Sequence, residues 1–449
     1  MLAKVAKPLP AGPRGHLLLG HLAELGRDPL GALERYAREY GDFVPLRFGP
    51  KRAVLLNHPD YVEQVLVTSS HCFVKSPALR NSRRLIGHGL LTSEGEQWRR
   101  QRRLIQPAFH RQQLAAYSEI MVACTEQLLA TWRDGEVRDI HQEMMRLTLQ
   151  IVARALFGAD VADEAAVVDE ALRVALERFG TRLSSLAFLL PDTLPTPDNW
   201  GFLRAARRLD AIVYRIIAAR RASGADRGDL LSILLRARDE ADGGGMTDRQ
   251  LHDEVMTLLL AGHETTAIAL SWTWYLLSQH PAVEARLLAE LQAVLGGRAP
   301  TAEDLPRLPY TEWVLWEALR LYPPAWALAR EAVQDCEIGG YPVPAGTIVV
   351  MSQWLLHRDP RYFDAPERFL PERWADGLAK RLPRYAYFPF GGGPRLCIGA
   401  GFASLEAALV LATVLPRFRL TLVPGHPIAL WPSVTLRPRY GIRMVLHRR

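Results

Sequence analysis

Apolar residues recur at helical spacing over Pro29–Tyr40, and two short β-branched and aromatic runs, 43–48 and 52–56, then read as strands joined at Gly49-Pro50. A small sheet is expected near the N-terminus. From 97 to about 240 the spacing is helical with few strand signals, broken by turn clusters at 191–199 and 223–229. After the loop Asp242-Gly243-Gly244-Gly245, Thr247 and Gln250 form a capping-box pattern that opens a helix expected to run to Gln279, ahead of His280-Pro281. At about 1.5 Å per residue its roughly 32 residues would span about 48 Å, enough to cross a domain.

A shorter helix around 312–321 stops at Pro323-Pro324, and 336–351 alternates Gly, Pro and β-branched residues as strands and turns do. A last helix follows Cys397, and 418–422 and 433–446 read as hairpin strands. The pattern predicts a mainly α fold with small β-sheets (α+β). No internal repeat and no break in composition divides it. One domain over 1–449 is expected, with a sheet-rich region from 41–56 and 418–446 and a helical body over 97–415.

Composition narrows the classes. With 449 residues, 49% hydrophobic and 23% charged, the chain is an ordinary globular one with a sizeable core. Lys and Arg exceed Asp and Glu by 55 − 48 = 7, a modest excess that favours acidic partners without implying nucleic acid. Cys72, Cys124, Cys336 and Cys397 form no CxxC pair, so neither a disulfide framework nor a zinc ribbon is supported. Residues 1–15 mix Lys4, Lys7 and Arg14 with prolines and contain no apolar signal core, which points to the cytoplasm. The stretch 265–283 lacks Asp, Glu, Lys and Arg, but Gln279, His280 and Pro281 interrupt it. It reads as a core helix and not as a transmembrane anchor.

The chemistry concentrates in Phe390-Gly391-Gly392-Gly393-Pro394-Arg395-Leu396-Cys397-Ile398-Gly399-Ala400-Gly401, which places one cysteine at a helix start. Backbone N–H groups and the helix dipole favour a thiolate there, and the glycines allow close approach of whatever the sulfur binds. The Gly-Lys-Ser/Thr of a phosphate loop is absent, and Ser404 stands where a dinucleotide fingerprint needs Gly or Ala. In the long helix, His263-Glu264 starts a zinc-peptidase pattern that Ala267 ends by removing the second ligand. What remains is an acid and an alcohol, Glu264 and Thr265, behind the small Ala261 and Gly262. Thr265 can bond the carbonyl four residues back and loosen the helix locally. His263 is given no role.

Residues 390–401 resemble the cysteine loop of the cytochrome P-450 superfamily, the haem-thiolate monooxygenases. Four further segments agree in order: Trp98-Arg99-Arg100-Gln101-Arg102, Ala261-Gly262-His263-Glu264-Thr265-Thr266, Glu317-Ala318-Leu319-Arg320 and Pro371-Glu372-Arg373-Trp374. The resemblance implies haem b held by the Cys397 thiolate, with Phe390 packed on the sulfur side. It also implies Trp98, Arg102, Arg330 and Arg395 at the propionates and Ala261 against the macrocycle. Thr265 and Glu264 become the catalytic pair that handles oxygen and its protons. Glu317, Arg320 and Arg373 become a buried structural network.

The reaction so implied inserts one atom of O₂ into a small apolar substrate such as a fatty acid, terpenoid or steroid, by hydroxylation or epoxidation. Electrons come from a ferredoxin or flavodoxin type donor with its reductase, because the chain carries no flavin or nicotinamide fingerprint. Arg99, Arg100 and Arg103 would form a basic docking surface for that donor, and a monomer is expected. Pocket segments implied by the resemblance are 77–91, 185–190, 258–265, 324–328 with Trp326, and 432–436. Arg80, Arg83 and Arg84 on the first are either solvated or a carboxylate site. Two rival functions are a peroxide-driven haem-thiolate enzyme, against which Glu264 and Thr265 count, and a haem sensor or carrier, for which no signalling domain is present.

Overall fold

The computed structural model describes residues 7–161, 164, 167, 168, 170, 171, 174, 197–237 and 244–449. Within these, the central helix Asp248–Gln279 forms as its sequence requires. Thr247 Oγ1 accepts the Gln250 N–H at 3.2 Å while Gln250 Oε1 accepts the Thr247 N–H at 2.9 Å, so two of the orphan donors at the helix start are satisfied reciprocally. Most of its 32 residues are buried, and it packs on the helices Ile140–Phe157, Pro309–Leu321 and Ala400–Val414. Trp272 and Trp274 fill that core, with Trp272 stacked on Tyr322 at 4.5 Å. Burial on nearly all sides accounts for its uncharged run. No described helix is long and apolar enough to cross a membrane.

The strands Phe43–Phe48 (β1) and Lys51–Leu56 (β2) form the expected hairpin, but their sheet extends beyond it. Phe73–Lys75 (β3) is its far edge, and Leu328–Ala332 (β5) and Ile348–Met351 (β8) lie between, in the order β1-β2-β8-β5-β3. A second sheet pairs Val137–Asp139 (β4) with Arg443–Arg448 (β12) and Phe418–Leu422 (β9). The N- and C-terminal strands therefore belong to separate sheets, each completed from inside the helical body. Three-residue strands such as β3 and β4 are too short to show a period of two. Cys336–Ile338 (β6) with Tyr341–Val343 (β7), and Leu430–Pro432 (β10) with Leu436–Pro438 (β11), are separate hairpins.

A helix covers Pro197–Ser223, so part of the turn expected at 191–199 is helical, with proline at the start of a helix where its missing N–H is harmless. The rest of that turn and the pocket segment 185–190 lie outside the described residues, as does the side chain of Arg84.

Residues 87–92 dock on the central helix. The His88 N–H donates to Asp253 at 2.8 Å and the Leu90 N–H to Glu254 at 2.9 Å. Burial pushes the Glu254 carboxyl up to about 8, with the Leu90 N–H opposing and Asp253 adding to the rise.

Candidate functional site

The cysteine loop is held in shape from both ends. The Cys397 N–H bonds Phe390 O at 3.0 Å, closing the loop, and the helix Ala400–Val414 begins three residues later. Gly393 has φ +63°, and a Cβ there would stand 1.8 Å from Leu66 O. At Gly392 a Cβ would stand 2.2 Å from the Tyr385 ring. Any side chain at either position would displace the loop.

Beneath the loop lies the Glu317 network. Glu317 accepts Arg320 Nε and Nη2 at 2.9 and 2.8 Å, Arg373 Nε at 2.8 Å, Trp374 Nε1 at 2.9 Å and the Leu370 N–H at 3.0 Å. Arg320 also donates to the carbonyls of His357, Pro366 and Arg368. Burial, with Arg320 and Arg358 nearby, holds the His357 imidazole neutral, so its Nε2 accepts the Phe388 N–H at 2.9 Å. Phe388 lies two residues before the loop, so the network reaches the cysteine through His357. A backbone donor tied in this way fixes the loop's approach.

Around Cys397 the charges are arranged differently. Cys397 is accessible at its surface, yet protein encloses it on most sides, and this enclosure is the largest influence on its thiol. It pushes the thiol up, while the Gly399 N–H, Arg102 and Lys75 pull it down. Arg102 Nη1 donates to Leu396 O at 3.0 Å. Arg395 lies over the Trp98 ring at 4.0 Å, donates to Ser93 O at 2.9 Å and pairs with Glu94. Trp98 and Arg102 thus both face the loop. Lys75 on β3 sits directly opposite Arg330 on β5, a like-charge cross-strand pair. Burial lowers Arg330 to about 10, with Glu94 opposing, and lowers Arg395 to about 10, with Glu94 opposing and Arg330 adding. It lowers Lys75 far more, with Arg330 and Arg395 adding.

The one acid among these cations, Glu94, is occupied by Arg395 and by the Lys75 N–H at 2.6 Å. Among the described residues the Arg330 guanidinium makes a single hydrogen bond, to its neighbour's carbonyl, Ala329 O at 3.0 Å. Three arginines and a buried lysine gathered about a thiol, with one acid between them, fit an anionic group, such as the two propionates of haem. Lys75 was not legible in the sequence, since a lysine ending a three-residue strand has no pattern to stand out from.

On the central helix, Ala261, Gly262, Thr265 and Ala269 are accessible while the residues between and around them are buried. Positions 261, 265 and 269 share one helix face, and it is this face that is accessible. Thr265 Oγ1 donates to Ala261 O at 2.8 Å. Glu264 is buried and turned elsewhere: its Oε1 accepts Thr435 Oγ1 and, at 2.8 Å, Arg437 Nε. Neither Thr435 nor Arg437 was singled out by its own chemistry in the sequence.

Several arginines are already engaged. Arg80 pairs with Glu331, which also takes Lys51, and Arg83 bonds Thr92 O at 2.8 Å, so neither is the solvated loop cation or carboxylate site expected. Arg100 donates to Gly244 O at 3.0 Å and is thus partly drawn out of the basic surface, whereas Arg99 and Arg103 are exposed.

A thiolate loop, a basic cluster suited to an anionic group and an accessible helix face with a threonine define a haem-thiolate oxygenase. The Cytochrome P-450 family profile matches residues 10–441, and the chain belongs to that family; it is a haem-dependent monooxygenase. It is similar to cyclooctatin synthase of Streptomyces melanosporofaciens, 43% identical with 94% of this chain and 92% of that protein covered. It also resembles cyclooctat-9-en-7-ol 5-monooxygenase of the same organism, 44% identical over 91% and 88% of the two chains. Pentalenene oxygenase of Streptomyces avermitilis is 39% identical over 92% of each. A cyanobacterial cytochrome P-450 solved with retinoic acid bound superposes with a TM-score of 0.88 at 30% identity, covering 98% of this chain and 99% of that one.

Proposed function

We propose that this monooxygenase oxidises a neutral, compact terpenoid, taking electrons from a separate ferredoxin or flavodoxin type donor, as a cytoplasmic monomer whose single domain spans 1–449. The carrying observation is the accessible helix face at 261, 265 and 269, which bears no charge, together with the equally uncharged and half-buried 325–329. The arginines nearest the loop 77–91, Arg80 and Arg83, are bonded to protein, which disfavours a fatty acid over a neutral hydrocarbon skeleton. The names of three similar enzymes point to the same class.

Bound haem supplies oxygen activation at an iron made electron-rich by a thiolate. Cys397 provides that sulfur, and Phe390 packs beside it. Arg102, Arg330 and Arg395 would hold the propionates, with Trp98 beneath Arg395 and Lys75 beside them. Ala261 leaves room for the flat ring and for O₂. Thr265 would present its Oγ1 as an acceptor on the accessible face while donating to Ala261 O, and Glu264 would supply protons on turning from Thr435 and Arg437.

A Soret-band screen of terpene hydrocarbons and mono-alcohols against fatty acids tests the substrate class. Cyclooctat-9-en-7-ol or a similar skeleton should give the spin-state shift and a product gaining one oxygen atom. A shift with fatty acids and with no terpenoid would reject this reading. Turnover with an acidic ferredoxin should fall as salt rises, since exposed Arg99 and Arg103 would dock it electrostatically.

A further inference from the structure

The acid of the catalytic pair and the substrate wall are joined by one turn. Between β10 and β11, Ser433, Val434 and Thr435 form a tight reversal in which the Ser433 N–H bonds Thr435 O at 3.1 Å. On one side of the turn the Trp326 indole N–H donates to Ser433 O at 3.0 Å, fixing the large side chain of 325–329. On the other side Thr435 Oγ1 and Arg437 Nε both grip Glu264 Oε1. The Leu436 N–H bonds Pro324 O at 3.0 Å, and Trp272 Nε1 of the central helix bonds Leu436 O at 2.8 Å, so the strand beneath the turn is pinned. Val434 alone projects, 46% exposed at the tip.

We infer that Thr435 is a positioning residue through which a substrate lying against Trp326 and Val434 sets the orientation of the Glu264 carboxylate. Pressure on the tip can move only what is not pinned, and the Thr435 hydroxyl is the group there that touches the acid. Arg437 supplies the counter-charge: its Nη2 is buried without a partner among the described residues, and Glu264 is the acid it pairs with. His263 and His141, which face Arg437, are both held neutral: burial lowers His263 to about 4, with Glu264 opposing and Arg437 adding, and lowers His141 to about 3, with Arg437 and His263 adding. Arg437 is therefore the cation matched to Glu264.

The inference rests on the monooxygenase reading and deepens it. In productive turnover, two electrons from the donor and two protons convert R–H and O₂ to R–OH and water. When a proton arrives wrongly placed, the same electrons and protons leave with O₂ as hydrogen peroxide. Thr435→Val keeps the shape and removes the hydroxyl, and Thr435→Ser restores it.

The first measurement needs no substrate. In the infrared difference between holoprotein and Glu264→Gln, the carboxylate band should move in Thr435→Val and return in Thr435→Ser; an unmoved band overturns the inference. With cyclooctat-9-en-7-ol as probe, product per donor electron should fall about tenfold in Thr435→Val, the scale of losing one hydrogen bond to a charged group. Peroxide should rise to match, while the spectral dissociation constant changes less than about twofold. Equal coupling in Thr435→Val and the native enzyme would also overturn it. Should the probe fail to bind, the terpenoid assignment falls while the infrared comparison still decides the role of Thr435.

Discussion

The Glu317 network and the Cys397 ring are both buried clusters rich in arginine, and they differ in how completely their hydrogen bonds are filled. Around Glu317, five donors converge on one carboxylate, and the remaining guanidinium hydrogens of Arg320 and Arg373 reach backbone carbonyls. Around Cys397, Lys75 faces Arg330 across a strand pair and the one acid is taken. A cluster that satisfies itself holds a fold, because removing any member strands the others. A cluster left short of negative charge is stable only with an anion added, so its incompleteness marks a binding site.

The largest effect should come from breaking the filled cluster. Glu317→Ala leaves two buried guanidiniums without their carboxylate, at about 3 to 5 kcal/mol, and releases the His357 hold on the loop. Haem content and the long-wavelength band of the reduced, carbon monoxide-bound protein should both vanish. A soluble variant with full haem would show that the network is dispensable.

The incomplete cluster should respond with opposite signs in its two states. Lys75→Met removes one of two facing cations, so apoprotein melting should rise or stay level. Holoprotein should lose haem to an apo-globin acceptor about tenfold faster, given what a charged hydrogen bond is worth. If both states were destabilised together, Lys75 would be part of the scaffold and the contrast would fail.

The sequence revealed the filled cluster more readily than the open one. Glu317 and Arg320 share a helix turn, and Arg373 belongs to a recognisable segment, so the network could be named from spacing and resemblance. The helix Asp248–Gln279 was legible to the residue because its cap and its proline stop are local. The open cluster was half visible: Arg102 and Arg395 lie in motifs, whereas Lys75 is brought opposite Arg330 only by the pairing of β3 with β5, a contact spanning about half the chain. The same holds for Thr435 and Arg437, which meet Glu264 through a hairpin formed some 170 residues later. Pairings set by tertiary register leave no periodic trace.

Glu254 is an intermediate case and yields a pH test. One oxygen is bonded to the Leu90 N–H, the other is buried with no partner among the described residues, and the carboxyl is raised to about 8. Because its folded pKa lies above its unfolded one, near 4.3, the folded protein holds the proton more tightly. Its contribution is present below about pH 4 and is lost as pH rises toward 8, by at most ~1.4 kcal/mol per pH unit. The melting difference between native protein and Glu254→Gln should therefore grow in favour of the variant from pH 5 to pH 8. A difference independent of pH would place the proton elsewhere.

The smallest effect sharpens what satisfaction means. Arg99 and Glu96 form an ion pair at the same helical spacing as Arg320 and Glu317, but through a single contact and with both partners exposed. Water would solvate either partner alone, so Arg99→Ala should change stability by less than about 0.5 kcal/mol, read from urea unfolding. Its Michaelis constant for an acidic ferredoxin should rise, and that rise should disappear at high salt, because an exposed charge acts over distance and is screened. A large loss of stability here would mean that ion-pair geometry matters regardless of burial, and the distinction between the two clusters would then rest on the wrong property.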